Sequence, residues 1–502
     1  MRNRIVILVS LLIAAMSFQF ASAQNTPVVT SEVLAEFEQL IADEMAYYHI
    51  PGMAAAVIAD GEIVYAQGFG MRDIENNLPF TTETLFRVGS TTKSMTSLII
   101  AQLVEEGLLA WDTPITEIIP DFSTADPELT ARLTLRDLMG MGTGLESNSL
   151  DGFYWGDWSF ADLLDAIGRQ AIAGEFGEHY AYNNEVYAAA GYAAALALGL
   201  EPTVESFSAM IEERVFAPIG MDGAIVTDDH RLLGDNFALP YEIPLDGDGF
   251  ENAVMVDPPI GISAPAGAVW ADVEDMARYL ITQMSGGITP DGTRIVDEAA
   301  LMETWQPGVV VDMNIPAFTD AHYGMGWVTH RYNGIALRWH DGGWQGYSTQ
   351  IAIFPEANVG LVVFANSTLG GEINNVLTYA FAELLYGLEP QAAEFLHANF
   401  DELVAQLEMI RTQMLITPFN ADSAAALVGD YENGWSVEVG EDALIIRRGG
   451  WEFRAVPMPI EGVYLVVNAG AAGVPIIFET DGDSVSMIVQ LPAVELTLNR
   501  IE

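Results

Sequence analysis

The sequence contains no cysteine. Disulfides, a thiol nucleophile, a lipidated cysteine and thiolate metal sites are therefore excluded. Basic residues are scarce as well: Lys+Arg 19 stand against Asp+Glu 70, a formal net charge of -51. Charged residues make up 18% of the chain, below the usual share of about 25%, so the imbalance comes more from missing bases than from surplus acids. A field of that sign repels nucleic acid and anionic membrane surfaces, which argues against a polynucleotide partner. Past the amino-terminal twenty or so residues, no run is long and apolar enough to span a bilayer. There is no Gly-x-Ser-x-Gly elbow, phosphate loop or internal repeat. His49, His179, His230, His322, His330 and His397 show no paired metal-ligand spacing, so neither a zinc hydrolase nor any cofactor is expected.

Among the basic residues only one is lysine, and its surroundings are distinctive. Ser90-Thr91-Thr92-Lys93 opens a stretch running to Ile100 that reads as a helix as far as about Glu106. A serine three positions before a lysine puts both side chains on one helix face, where the amine can reach the hydroxyl. Arginine is not deprotonated in proteins, whereas a buried lysine can lose its proton and serve as a base to a serine nucleophile. A plainer reading is open at this point: Ser90 or Thr91 capping the helix and Lys93 a solvated charge.

Half of the residues are hydrophobic and a tenth aromatic, enough for well-packed cores. At 502 residues the chain exceeds what one core usually supports. Met1-Arg2-Asn3-Arg4, the apolar run Ile5 to Phe20 and Ala21-Ser22-Ala23 have the layout of a secretory signal peptide over residues 1–23. A secreted or periplasmic protein with no stable membrane anchor after cleavage is expected. Residues Ser31 to Tyr48 read as a helix capped by Ser31, and Met53–Ala59 and Glu62–Gly70 as a β-hairpin around Asp60-Gly61. A mostly helical region follows as far as about Val215. Strands are expected at Tyr323–Val328, Ile335–His340, Ser348–Phe354 and Val359–Asn366, with a helix from about Ile373 to Leu388. Strands, then helices, then strands give an α+β domain over 24–390: an antiparallel sheet flanked by helices, with an all-helical insertion. A helical connector is expected over 391–420. Short alternating runs over 421–502, at 426–431, 435–439, 443–447, 463–467, 476–478, 485–489 and 494–498, predict a small all-β barrel or sandwich. Asp246-Gly247-Asp248-Gly249 reads as a turn rather than a calcium loop, since the distant glutamate is out of register.

A Ser-Lys pair needs a second proton-handling group, a binder for the substrate amide and an oxyanion donor. Tyr182-Asn183-Asn184 offers a phenol and a carboxamide, and His340-Asp341-Gly342-Gly343 is read as a strand ending at a glycine turn. In that order and at roughly those separations the three motifs resemble the Ser-x-x-Lys, Tyr-x-Asn and Lys/His-x-Gly motifs of the serine β-lactamase-related family. That family takes in class C β-lactamases, D-alanyl-D-alanine carboxypeptidases, D-aminopeptidases and β-lactamase-like esterases. Flanking strings agree, among them Ala264-Pro265-Ala266-Gly267 and Tyr323-Gly324-Met325-Gly326-Trp327. The resemblance implies a β-lactamase/transpeptidase-like fold, with a lipocalin-like carboxyl-terminal appendage. It implies an acyl-enzyme on Ser90 with Lys93 as base and Tyr182 as proton shuttle. Asn184, His340 and Gly342 would bind substrate, and the amides of Ser90 and Gly343 would form the oxyanion hole. The substrate would be a peptide of D-amino-acid type, a carboxylic ester or another small molecule, with homo-oligomers left open. Two alternatives stand beside it, a β-lactamase and a non-catalytic penicillin-binding-like scaffold. The sequence departs from the family at His340, where β-lactamases usually carry a lysine.

Overall fold

A computed structural model describes residues 27–147, 158–247, 249–313, 315, 317–468, 471–482, 484–490 and 495–501. The expected signal peptide lies outside the described residues.

Helix α1 (Ser31–Tyr47) is capped by the Thr30 hydroxyl on the Val33 amide, one residue before the cap expected from sequence. It leads into a hairpin of β1 (Gly52–Ala59) and β2 (Glu62–Asp73), extended by β3 (Leu78–Pro79). The rest of the main sheet comes from β4 (Phe318–Tyr323), β5 (Val328–Tyr332), β6 (Ile335–Trp344), β7 (Tyr347–Phe354) and β8 (Val359–Ala365). The strand order is β3-β2-β1-β8-β7-β6-β5-β4, antiparallel throughout. Both faces of its centre are covered. Ala54, Ala56 and Ile58 alternate with Met53, Ala55 and Val57 between two separate cores, as the two-residue period of a strand requires.

One core receives α1 and α5 (Gly370–Tyr386), the other α2 (Thr92–Glu105), α3 (Asn184–Ala197) and α4 (Val273–Met284). The sequence reading passed over α4, whose capping aspartate Asp272 does accept a hydrogen bond from the Asp275 amide at 2.8 Å. A small three-stranded sheet pairs Phe86–Arg87 and Ile225–Val226 with Val269–Ala271 and fixes the approach to Ser90.

Two strand boundaries differ from the sequence expectation. Tyr323–Val328 is not one strand but the turn between β4 and β5; Gly326 takes a φ of +81°, and a Cβ there would lie 2.9 Å from the Lys93 carbonyl oxygen. Conversely, β6 does not stop at His340 but runs on through Gly342 and Gly343 to Trp344. Gly342 serves a close backbone approach to Val88 and not a turn, while Gly343 has open space where a Cβ would stand.

Helix α6 (Ala392–Met409) connects to eight consecutive antiparallel strands, β9 (Gly429–Tyr431), β10 (Trp435–Val439), β11 (Leu444–Arg448), β12 (Trp451–Pro457), β13 (Val463–Val466), β14 (Pro475–Asp481), β15 (Ser484–Gln490) and β16 (Glu495–Asn499). A bridge between Tyr431 and Arg500, with the Ile501 amide on the Asp430 carbonyl at 2.7 Å, nearly closes the barrel. Its interior is filled by Trp435, Ile446, Phe453, Phe478 and Met487, among others. The sequence reading missed β12 and placed strand at Ala426–Val428, where a helical turn stands instead. The barrel is held to Leu245 and Asp246: the Leu245 amide donates to the Val467 carbonyl at 3.0 Å, and Asp246 pairs with Arg454 at 3.0 Å. No helix among the described residues is long and apolar enough to cross a membrane.

Candidate active site

The site begins where the chain leaves Phe86–Arg87 and turns. Gly89 has a φ of +53°, a conformation that favours glycine, and Gly89–Thr91 forms one tight turn before α2. Neither Ser90 nor Thr91 caps the helix, because the Thr91 hydroxyl donates back to the Val88 carbonyl at 2.9 Å. Residues Thr92–Leu103 are all buried, so α2 runs through the middle of the core and carries Lys93 with it.

Lys93 is wholly buried, which disposes of the solvated-charge reading. Its Nζ lies 3.0 Å from Ser90 Oγ, 2.5 Å from Asn184 Oδ1 and 2.9 Å from the Ala266 carbonyl oxygen. Burial holds its amine well below the usual lysine range, and the nearby charge of Asp341 only partly offsets that. A neutral amine has two N–H bonds and one lone pair. Two carbonyl-type acceptors take up both N–H bonds, which leaves the lone pair facing the Ser90 hydroxyl. Once it takes a proton, the ammonium lies 4.7 Å from the Tyr182 ring centre and 5.5 Å from that of Tyr187. Those ring faces favour the charged form.

Tyr182 and Asn184 arrive from the start of α3. Asn183 is the cap, its Oδ1 accepting from the Val186 amide at 3.0 Å while its Nδ2 donates to Gln170 Oε1 at 2.7 Å. Capping fixes the residues on either side, so Tyr182 stays extended toward Ser90 and Asn184 begins the helix beside Lys93. The Ser90 side chain is near enough to the Tyr182 phenol to draw its pKa down, a lesser effect than burial. Burial, with the Asp341 charge adding to it, holds this phenol well above its ordinary range, so it is a neutral O–H and not a phenolate.

The facing wall is the end of β6. An ideal Cβ on Gly342 would fall 2.0 Å from the Val88 carbonyl oxygen and 3.2 Å from the Ser90 nitrogen; one on Gly89 would fall 2.7 Å from the Gly343 nitrogen. Bare backbone is therefore needed on both sides, and it brings the amides of Ser90 and Gly343 together.

His340 is buried, and both ring nitrogens are engaged. Nδ1 lies 2.5 Å from the Asp341 carbonyl oxygen, which can only accept, so Nδ1 carries the proton and Nε2 accepts from the Tyr323 hydroxyl at 2.9 Å. Burial pushes its pKa down to about 4. The imidazole is uncharged at neutral pH. Because the unfolded ring titrates near 6.5, the unfolded chain binds the extra proton between that pH and about 4. Stability from this group is thus fully present above 6.5 and lost as pH falls toward 4, by about 3 kcal/mol in all. The expected result is that the melting-temperature advantage of wild type over His340→Gln is largest above pH 6.5 and narrows steadily toward pH 4 in paired thermal melts.

Several contributors carry no role in the sequence reading. Ala266 supplies the second acceptor for Lys93. The Tyr187 hydroxyl donates to the Lys93 carbonyl at 2.8 Å, and Ser97 Oγ lies 2.7 Å from that hydroxyl. Tyr323 orients His340. Two of these stood in the flanking strings, but only the fold brings a carbonyl at 266 and a phenol at 323 to the motif residues. Among the described residues no cluster of acidic, histidine or cysteine side chains could hold a metal ion.

Comparison with known proteins agrees with this architecture. A family model described as Beta-lactamase matches residues 37–385, more than half of the chain. The chain is 26% identical over 364 residues to the Unguisins hydrolase of Aspergillus campestris, covering 70% of this chain and 64% of that protein, just under two thirds of its length. It is 27% identical over 341 residues to Penicillin-binding protein 4 of Amycolatopsis lactamdurans, covering 67% of this chain and 86% of that one. The solved structure of the octameric penicillin-binding protein homologue from Pyrococcus abyssi shares the fold, with a TM-score of 0.62 at 22% identity over 93% of this chain and 100% of that one. With its fold, its family match and its ordered motifs taken together, the chain belongs to the Beta-lactamase family.

Proposed function

We propose that the protein cleaves peptides of D-amino-acid type or carboxylic esters through an acyl-enzyme on Ser90. The observation that carries the reading is the commitment of both Lys93 N–H bonds to Asn184 and Ala266, which aims the amine lone pair at Ser90 Oγ, 3.0 Å away. Ser90 Oγ attacks the substrate carbonyl as its proton passes to Lys93, and the new oxyanion is met by the amides of Ser90 and Gly343. The proton then passes, with Tyr182 O–H as relay, to the departing amine or alcohol. Water on the same path releases the acid and restores Ser90. Asn184 and the Gly342 edge of β6 border the bound substrate.

The names of two relatives, an Unguisins hydrolase and a Penicillin-binding protein 4, support a substrate of peptide or penicillin-like character. Between these, the neutral His340 ring with the Asp341 charge beside it favours substrates that present no carboxylate there, and the net charge of -51 acts against anionic substrates in the same sense. Treatment with a fluorophosphonate probe should add one adduct mass, located on Ser90 by peptide mass spectrometry and absent from Ser90→Ala. No adduct on Ser90 would remove the mechanism. A β-lactamase is the second reading, and rapid turnover of a chromogenic cephalosporin, faster than that of simple esters and D-alanyl peptides, would select it instead.

A further inference from the structure

Behind the nucleophile turn lies a second polar cluster that the reaction above does not use. Arg87, three residues before Ser90, is buried and lies over the Trp270 ring at 4.7 Å. Its guanidinium donates to Asp257 Oδ2 at 3.1 Å from Nη2 and to Asp228 Oδ1 at 3.3 Å. Asp228 in turn accepts from the Ile260 and Gly261 amides, each at 3.0 Å. The side chain of Asp257 is almost fully buried, and its two oxygens face different ways. Oδ2 takes Arg87 and lies 2.9 Å from His230 Nε2; Oδ1 accepts the indole N–H of Trp344 at 2.7 Å. Trp344 directly follows Gly343. One carboxylate therefore spans the two segments that carry the oxyanion amides.

The barrel reaches the same place. Trp451, at the start of β12, is buried with its ring centre 6.4 Å from that of Trp344, nearly edge to face. The preceding Gly450 lies against Pro259, where an added Cβ would be 3.3 Å from Cδ. Behind Trp451, the rings of Phe453 and Trp435 stack in turn at 5.7 and 6.0 Å, so the aromatic row of the barrel ends on Trp344. An indole held by a charge-assisted hydrogen bond on its edge and by a ring of the barrel is restrained in position and tilt.

We propose that Asp257 is a positioning residue of the oxyanion hole, binding Arg87 on the nucleophile side to Trp344 on the strand side, and that the barrel acts on catalysis by seating Trp451 against Trp344. Asp257 touches no reacting atom. It fixes the separation of the Ser90 and Gly343 amides, a distance to which a displacement of about 1 Å costs on the order of 10²-fold in rate. The inference rests on the acyl-enzyme reading of Ser90.

The test uses the full chain with Trp344→Phe, which keeps a ring against Trp451 and removes the indole donor, alongside Asp257→Asn and Trp451→Leu. Trp344→Phe is expected to lower kcat about tenfold with KM within twofold. It should weaken inhibition by phenylboronic acid, whose tetrahedral adduct places an oxygen in the hole, by a similar factor, while the melting temperature stays within a few degrees. Trp451→Leu should move kcat in the same direction. A purely structural role would move the melting temperature and leave the kcat and boronate values of the folded fraction unchanged, and that result overturns the inference. So does a loss confined to KM. If Asp257→Asn does not fold, Trp344→Phe decides. A wild-type chain that the fluorophosphonate probe fails to label at Ser90 overturns both this inference and the acyl-enzyme reading; a labelled wild type with an unaltered Trp344→Phe overturns this inference alone.

Discussion

Lys93→Arg will lower kcat by about 10³-fold or more and abolish labelling of Ser90 by the fluorophosphonate probe. Loss of a base that acts as a unit with its nucleophile falls in this range or beyond. The reason is chemical. A guanidinium stays protonated even when buried, so it can offer N–H donors to Asn184, Ala266 and Ser90 but no lone pair to any of them. Burial shifts the amine at this position well below the usual lysine range, toward the neutral form that can accept the Ser90 proton. Because arginine is longer, Lys93→Met makes the matching volume control: it fills the buried site with an unbranched apolar chain and should retain the folded state in circular dichroism while being equally inactive. Activity in Lys93→Arg within tenfold of wild type would take the base role away from Lys93.

Gly342→Ala should cost about 10²-fold in kcat, the value of one oxyanion donor, and destabilise the protein by about 1–3 kcal/mol from overpacking. The added Cβ would sit 2.0 Å from the Val88 carbonyl oxygen, which is backbone and cannot rotate away. The strand end and the nucleophile turn must separate, and the Ser90 and Gly343 amides part with them. Gly343→Ala supplies the contrast, for a Cβ there meets nothing within 4 Å. Its melting temperature should match wild type, so that a lowered melting temperature and kcat in Gly342→Ala alone tie both losses to the Val88 contact. A Gly342→Ala variant with unchanged kcat would mean that the close approach of β6 to Val88 is not what forms the hole.

These two residues mark how far the sequence could be read. Lys93 was legible because the chain carries one lysine and a serine stands three residues before it; helical periodicity converts that spacing into contact with no further information. Tyr182, Asn184 and the His340 strand were legible as ordered motifs, though only through resemblance, since nothing local brings residues 90, 182 and 340 together. The pair Gly342-Gly343 reads as a turn for the same reason, yet it lies within a strand, and only the position of Val88 makes Gly342 a steric requirement. The sheet and its flanking helices followed from alternation and capping signals. Strand β12 was missed because Trp451-Glu452-Phe453-Arg454-Ala455 follows the glycine pair 449–450 and carries two charges, although its alternation matches a barrel wall with Trp451, Phe453 and Ala455 inward. Asp257 had no local signal: its partners stand at 87, 230 and 344.

The order of strands in the main sheet also sets the course of folding. Its central pair joins β1 to β8, segments roughly 300 residues apart, in a continuous antiparallel register from Met53 with Ala365 to Ala59 with Val359. The amino-terminal hairpin and the carboxyl-terminal meander can each form from neighbours in the chain, but the seam between them must wait for everything that separates them. Loop closure over such a distance must be met before the contacts reward it, an entropic cost that neither the hairpin nor the meander carries alone. Ser90 lies on the early side of that seam and the strand with Gly343 on its late side, so the two proposed oxyanion amides come from segments that the seam joins.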